Sequence, residues 1–103
     1  MDSRVSVNIE NNKLTLSGII DFESILSIDV LGKEWLSTLI EQDCYIDLKS
    51  ISYSNSAGLV LLLGWLRIAH KHEKKFHIHY FPNSLKALVK VSGLDELFAG
   101  MEV

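Results

Sequence analysis

The fold is decided by residues 44–66, which read CYIDLKSISYSNSAGLVLLLGWL. The first five residues alternate in polarity and have polar flanks, so they predict a short strand at the centre of a sheet. The polar stretch 49–55 predicts a loop. From Ser56 to about Glu73 the chain is strongly apolar at first, long and free of proline. Since Asn55 or Ser56 is available as the N-cap, this segment predicts a helix.

The sequence on either side continues the alternation of strands and helices. It predicts a hairpin with strands at 5–9 and 14–16, a helix at 25–39 with Ser24 as N-cap, a strand at 76–80, a helix at 84–91 that Gly93 ends, and a last short turn that Asp95 caps. Because helices separate the later strands, we expect parallel pairing through right-handed crossovers. The predicted fold class is α/β, with a single domain over residues 1–103 in which helices pack against a small mixed β-sheet.

Composition and charge narrow the range of functions. The 103 residues suit one small domain, and 13 acidic against 10 basic side chains give a net charge of -3, so we expect no nucleic-acid partner. The longest apolar run, 57–66, has about half the ~20 residues of a membrane span. Cys44 is the single cysteine, and the N-terminus does not resemble a signal peptide. These features predict a cytoplasmic protein that does not itself cross a membrane.

The motifs of common enzymes and cofactor sites do not occur. The chain has no GxxxxGK[ST] loop, no GxGxxG and no CxxC, so we expect no cofactor and no nucleotide site. No GxSxG elbow places a serine for hydrolysis, and we expect no catalysis. Cys44 begins a buried strand, where a small apolar filler is its usual role and a reactive thiol the minor alternative.

Four histidines occur within ten residues: His70, His72, His77 and His79. Two histidines at i and i+2 of a strand can share a face and bind a metal, which remains a minor alternative. Alternation along the strand places His77 and His79 on the outward face, opposite Phe76, Ile78 and Tyr80. No carboxylate or cysteine is close in sequence to complete a set of metal ligands. We therefore expect no metal site.

The helix that begins at Ser56 carries a second stripe besides its core face. At about 100° per residue, Val60, Leu63 and Arg67 fall within roughly 40° of Ser56, on the side away from the sheet. We call these four residues the Ser56 stripe. An apolar stripe beside a hydroxyl and an arginine is typical of a contact surface for another protein. The alternative is that the first or the C-terminal helix covers Val60 and Leu63.

Two further interpretations concern the ends of this helix. Ser56 is either a helix cap or a site where phosphate would meet the positive end of the helix dipole and place about two negative charges in the Ser56 stripe. At the other end, Arg67, Lys71, Lys74 and Lys75 form a basic cluster. A solvated helix C-terminus explains it by default, and weak docking to acidic lipid headgroups or an acidic partner is secondary.

Three motifs relate the chain to a known family: LSG-x-x-D at 16–21, the N-S-x-G-L turn at 55–59, and VSGLDELF at 91–98. With them nearly the whole chain resembles a STAS domain, the fold of the bacterial anti-sigma-factor antagonists. Within the family, SAGLVLLLGWL is most similar to the small cytoplasmic STAS subunit of a phospholipid-transport ABC system of Gram-negative bacteria. The resemblance implies a non-catalytic accessory subunit that binds the transporter's cytoplasmic ATPase and, through it, a membrane permease at the inner membrane.

The resemblance also assigns a role to Ser56. The family's key hydroxyl, which is phosphorylated in the antagonists and contacts the partner in the transporter subunits, falls on this residue. The preceding position is usually aspartate and is Asn55 here, while Ala57 replaces a second serine that the antagonists often carry. The alternative function is an anti-sigma-factor antagonist regulated by phosphorylation of Ser56. The residues expected to bind the partner are Asn55, Ser56, Val60, Leu63 and Arg67.

Overall fold

The computed structural model of the chain describes residues 4–102, which form four strands and four helices. The elements are β1 (Val5–Glu10), β2 (Lys13–Ile20), α1 (Ile25–Thr38), β3 (Asp43–Ser54), α2 (Ser56–Lys71), β4 (Lys75–His79), α3 (Asn83–Val91) and α4 (Asp95–Phe98). The strands lie in one sheet in the order β1-β2-β3-β4, with β1 antiparallel to β2 and the remaining pairs parallel. The predicted mixed α/β sheet with the strand from Cys44 in an interior position is confirmed.

The hairpin turns at Asn11, whose φ of 56° lies in the left-handed region that asparagine adopts more readily than most residues. The backbone carbonyl of Asn11 accepts a hydrogen bond of 3.0 Å from the indole nitrogen of Trp35 in α1. This bond ties the hairpin to the helix layer. The antiparallel pairing of β1 with β2 confirms the predicted hairpin.

β3 is longer than predicted, because residues 49–54 continue the strand and do not form a loop. This half of β3 pairs with the end of β2, where Tyr53 lies opposite Ile19 and Ser54 opposite Ile20. Two register shifts interrupt the ladder, and burial does not follow the alternating polarity of residues 50–54, since Tyr53 is exposed and Ser54 is buried. The prediction of a loop was wrong, because the lysine and serines of this segment belong to a strand.

The helices cover one face of the sheet. On that face the strands contribute the buried side chains Leu14, Leu16, Ile46, Leu48, Phe76 and Ile78. α1 and α2 lie side by side, since a Cβ atom at Gly32 would overlap the indole of Trp65, and the Trp65 indole nitrogen donates to the Asp29 carbonyl at 3.2 Å. This close packing fixes α2 above the sheet.

The opposite face of the sheet is polar. The Lys13 ammonium lies 3.2 Å from an Asp47 carboxylate oxygen, and His77 Nε2 lies 2.9 Å from an Asp43 oxygen. His77 also stacks on Tyr45, with 4.8 Å between the ring centroids. The outward direction predicted for His77 is thus confirmed, and no group of three or more metal-ligating side chains meets among residues 4–102.

Some local predictions at the ends of elements need correction. Tyr80 does not continue the buried face of β4, because the strand ends at His79 and Tyr80 turns to a φ of 58° with its side chain exposed. Asp95 is the first residue of α4 and makes no capping bond. Ser24 is the N-cap residue by position, but its hydroxyl bonds the preceding turn and not α1. No helix within the described range is long and apolar enough to span a bilayer.

Candidate functional site

The connection from β3 to α2 consists of one residue, Asn55. Its backbone is extended, with φ -91° and ψ -164°, and its side-chain oxygen accepts a 2.8 Å hydrogen bond from the Ala57 backbone nitrogen. The buried Ser54 hydroxyl donates to the Asn55 carbonyl at 3.0 Å. Gly58 packs so closely on Ser54 that a Cβ atom there would overlap the hydroxyl. The start of α2 is therefore held in one conformation.

Ser56 does not cap α2, because Asn55 does. It is the first residue of the helix, its side chain is exposed, and its hydroxyl forms no hydrogen bond with another residue in the range 4–102. The capping interpretation of Ser56 is thereby corrected. The hydroxyl is available to a molecule outside the chain, at the end of the helix where the dipole is positive.

The Ser56 stripe lies on the outer side of α2, as predicted, but its members differ in exposure. Val60 is 53% exposed and Arg67 is exposed, whereas Leu63 is half-buried and packs against the core. The alternative that neighbouring elements cover the stripe therefore applies to Leu63 and not to Val60. Asn55 is half-buried, and its side-chain oxygen is engaged in the cap.

A groove runs along α2 at the far end of the Ser56 stripe. Its volume is about 440 Å³, and it lies between α2 and the C-terminal segment. The backbone carbonyl of Met101 accepts a 2.7 Å hydrogen bond from the Ile78 nitrogen, which holds this segment along β4. The sequence left open that the C-terminal helix covers Leu63, but nothing local in it indicates a groove between that segment and α2. The groove is lined by Leu63, Leu66, Arg67, His70, Leu97 and Met101.

A second groove, of about 350 Å³, opens directly beside Ser56 between the end of β3 and α3. Tyr53 and Val91 border it and are 54% and 86% exposed. Neither residue is among the predicted site residues, since Tyr53 lies in the segment predicted as a loop and Val91 was assigned only to a helix. The signal for Tyr53 is the alternating polarity of residues 50–54, which is typical of a strand. Ser56 thus lies among apolar side chains that water reaches.

The side chains around Ser56 in this groove are apolar groups, hydroxyls and one amide. The residues that line the groove beside it include no histidine, carboxylate, lysine or arginine. A serine nucleophile needs a base within hydrogen-bond reach, and no lining residue supplies one. The buried Cys44 is also no nucleophile, because burial raises the pKa of its thiol to about 11 and keeps it protonated.

Comparison with known proteins gives two kinds of relative. Anti-sigma-B factor antagonists of Staphylococcus aureus are 30% identical over 56 residues, which is 54% of this chain, and the chain spans about half the length of these curated relatives. A chain of the Acinetobacter MlaFEDB complex in an ATP-bound conformation is 26% identical, with a TM-score of 0.73 over 84% of this chain and 90% of that chain. The Bacillus cell fate determinant SpoIIAA in its phosphorylated form is 13% identical and has the same fold, with a TM-score of 0.70 over 96% of this chain and 88% of that chain.

The match to a family model extends over most of the chain. The model is described as Mlab, STAS domain, and it matches residues 3–100. This range includes β3, the turn at Asn55 and all of α2. The chain belongs to this family of STAS domains.

Proposed function

We propose that this chain is a non-catalytic accessory subunit of a phospholipid-transport ABC complex that maintains the lipid asymmetry of the outer membrane. It binds the cytoplasmic ATPase of the transporter through the Ser56 stripe and the turn at Asn55. Through the ATPase it is held beside a permease at the cytoplasmic side of the inner membrane. This assignment is supported by the similarity to a chain of the MlaFEDB complex, which extends over most of both chains.

The observation that carries the proposal is the state of Ser56. Its hydroxyl is exposed and is not used by the fold, while the neighbouring Val60 presents an apolar side chain to solvent one turn further along. A hydroxyl surrounded by exposed apolar groups suits the centre of a protein interface, where a hydrogen bond forms within a desolvated patch. Since no lining residue can activate the hydroxyl, binding is favoured over catalysis.

The experiment is a tagged pull-down from mildly detergent-solubilised cells of the native organism, with mass spectrometry of the recovered proteins. Val60→Asp places a charge in the proposed interface, and Val30→Asp is the matched control on the outer side of α1, where Val30 is 65% exposed. We expect the wild type and Val30→Asp to recover an ABC ATPase with its permease, and Val60→Asp to lose both. Recovery of the transporter by all three proteins would overturn the assigned surface.

The second candidate function is an anti-sigma-factor antagonist. It is supported by the 30% identity over 56 residues to antagonists of this class. In that case Ser56 is the phosphorylation site, and the phosphate adds about two negative charges among the apolar side chains of the interface. The same pull-down separates the candidates, since recovery of a serine kinase of the anti-sigma type without a transporter selects the antagonist.

A further inference from the structure

The groove at the far end of the Ser56 stripe has a lining that combines apolar and basic groups. Four of its six residues are apolar, two are Arg67 and His70, and none is acidic. We propose that this groove receives a segment of the bound ATPase in which a large apolar side chain lies next to a carboxylate. The proposal rests on the proposed function and specifies what the partner presents at this end of the interface.

The size of the groove limits what it can hold. Its volume of about 440 Å³ is close to three times that of a cavity of ~150 Å³ that admits benzene. Two or three side chains fit in such a space, and a whole helix does not. Leu97 is 43% exposed on one wall, and Met101 beside it has a flexible side chain that adapts to the shape of an inserted group.

The basic side chains of the groove favour an acidic group on the partner. Arg67 has no ion pair with any residue between 4 and 102, and His70 lies three residues further along the same helix. An unpaired guanidinium at the edge of an apolar surface binds a carboxylate with two parallel hydrogen bonds. Four of the nine other lysine and arginine side chains, namely Arg4, Lys13, Lys33 and Lys86, pair with acids of the chain.

The groove is formed before any partner arrives. Phe98 of α4 is buried and packs edge-on against Phe81, with 5.7 Å between the ring centroids. The Met101 nitrogen donates to the Phe98 carbonyl at 3.1 Å, and the Met101 carbonyl accepts from Ile78. A wall fixed in this way loses little conformational entropy on binding, so insertion of a side chain adds to affinity.

The groove is also continuous with the proposed interface. Leu63 and Arg67 belong both to the Ser56 stripe and to the groove lining. A partner that covers Ser56 and Val60 therefore reaches the groove along the same side of α2. This continuity favours a segment of the same ATPase over a separate ligand.

Photocrosslinking with the full chain and the purified ATPase recovered in the pull-down tests the proposal. A benzophenone amino acid is placed at position 97 in the groove, at position 60 on the Ser56 stripe, or at position 30 as the control. We expect crosslinks from positions 97 and 60 and none from 30, with the peptide crosslinked at 97 containing an apolar residue adjacent to aspartate or glutamate. A crosslink from 60 without one from 97 overturns the groove proposal alone, and none from either overturns the proposed function.

Charge reversal provides the second measurement. Arg67→Glu should raise the Kd for the ATPase by about tenfold or more. Arg67→Lys keeps the positive charge and should raise the Kd less. Replacing the acid of the crosslinked peptide with lysine should restore binding to Arg67→Glu. Failure of this rescue overturns the proposed carboxylate pairing. Crosslinks to lipid in anionic phosphatidylglycerol vesicles, with no ATPase crosslink at 97, would assign the groove to a membrane surface instead.

Discussion

The side-chain oxygen of Asn55 lies 2.8 Å from the backbone nitrogen of Ala57, and this bond caps α2. The cap therefore belongs to the position at which the STAS family usually has aspartate. Because Asn55 forms the cap, it contributes to the stability of the fold. The hydroxyl of the adjacent Ser56 takes no part in the cap and is free to bind a partner.

The first prediction concerns this separation. Asn55→Ala removes the cap and should lower the free energy of unfolding by about 1 kcal/mol. Ser56→Ala changes an exposed side chain without a bond to residues 4–102, so its effect should lie within about 0.5 kcal/mol. Urea unfolding followed by circular dichroism measures both. The opposite ranking would show that the serine is the cap in solution.

The second prediction compares three helical glycines. Gly32→Ala and Gly58→Ala place a methyl group against Trp65 and the Ser54 hydroxyl, so each should cost about 1–3 kcal/mol. Gly64→Ala is the matched control, because its nearest neighbour is the end of the Lys33 side chain at 4.0 Å. That change should stabilise the protein by up to about 1 kcal/mol through helix propensity. Equal melting temperatures for all three variants would contradict the packing described.

The third prediction separates Val60 from Leu63. Val60→Asp should leave the melting temperature almost unchanged and abolish partner binding, since its side chain is already in water. Leu63→Asp should lower the melting temperature as well, because this half-buried side chain packs against the core. Differential scanning calorimetry and a binding titration on the same preparations test this. A Leu63→Asp protein with wild-type stability would place Leu63 fully in the interface.

The fourth prediction uses the pKa of Cys44, which burial raises from 9.0 to about 11. Between these values the unfolded thiol loses its proton while the folded one keeps it, so the free energy of unfolding falls as the pH rises from about 9 to 11. The loss approaches ~1.4 kcal/mol per pH unit within that window. Relative to wild type, Cys44→Ala should show a shallower decline in urea titrations. Parallel curves for the two proteins would show that the thiol ionises equally in both states.

Much of the architecture could be predicted from periodicity, because α2 and the first half of β3 have the clear patterns that their burial requires. The second half of β3 was predicted as a loop although residues 50–54 alternate in polarity, and its burial could not be predicted, since two register shifts interrupt the ladder and Tyr53 is exposed while Ser54 is buried. Ser56, Val60 and Arg67 could be placed on the outer side of α2 by angle alone. Whether the C-terminal helix covers Leu63 stayed open, because the sequence does not show that the C-terminal segment is held through Met101 and Ile78. Contacts between distant parts of the chain leave no local signal.

The parallel bridge between Ile78 and Glu102 has a consequence for the solubility of the protein. β4 is the outermost strand on its side of the sheet, and an uncovered outer strand offers unpaired N–H and C=O groups to any extended chain nearby. With Met101 already accepting the Ile78 N–H, this part of the strand cannot template a new one. Loosening the C-terminal segment would therefore expose a site for edge-to-edge aggregation.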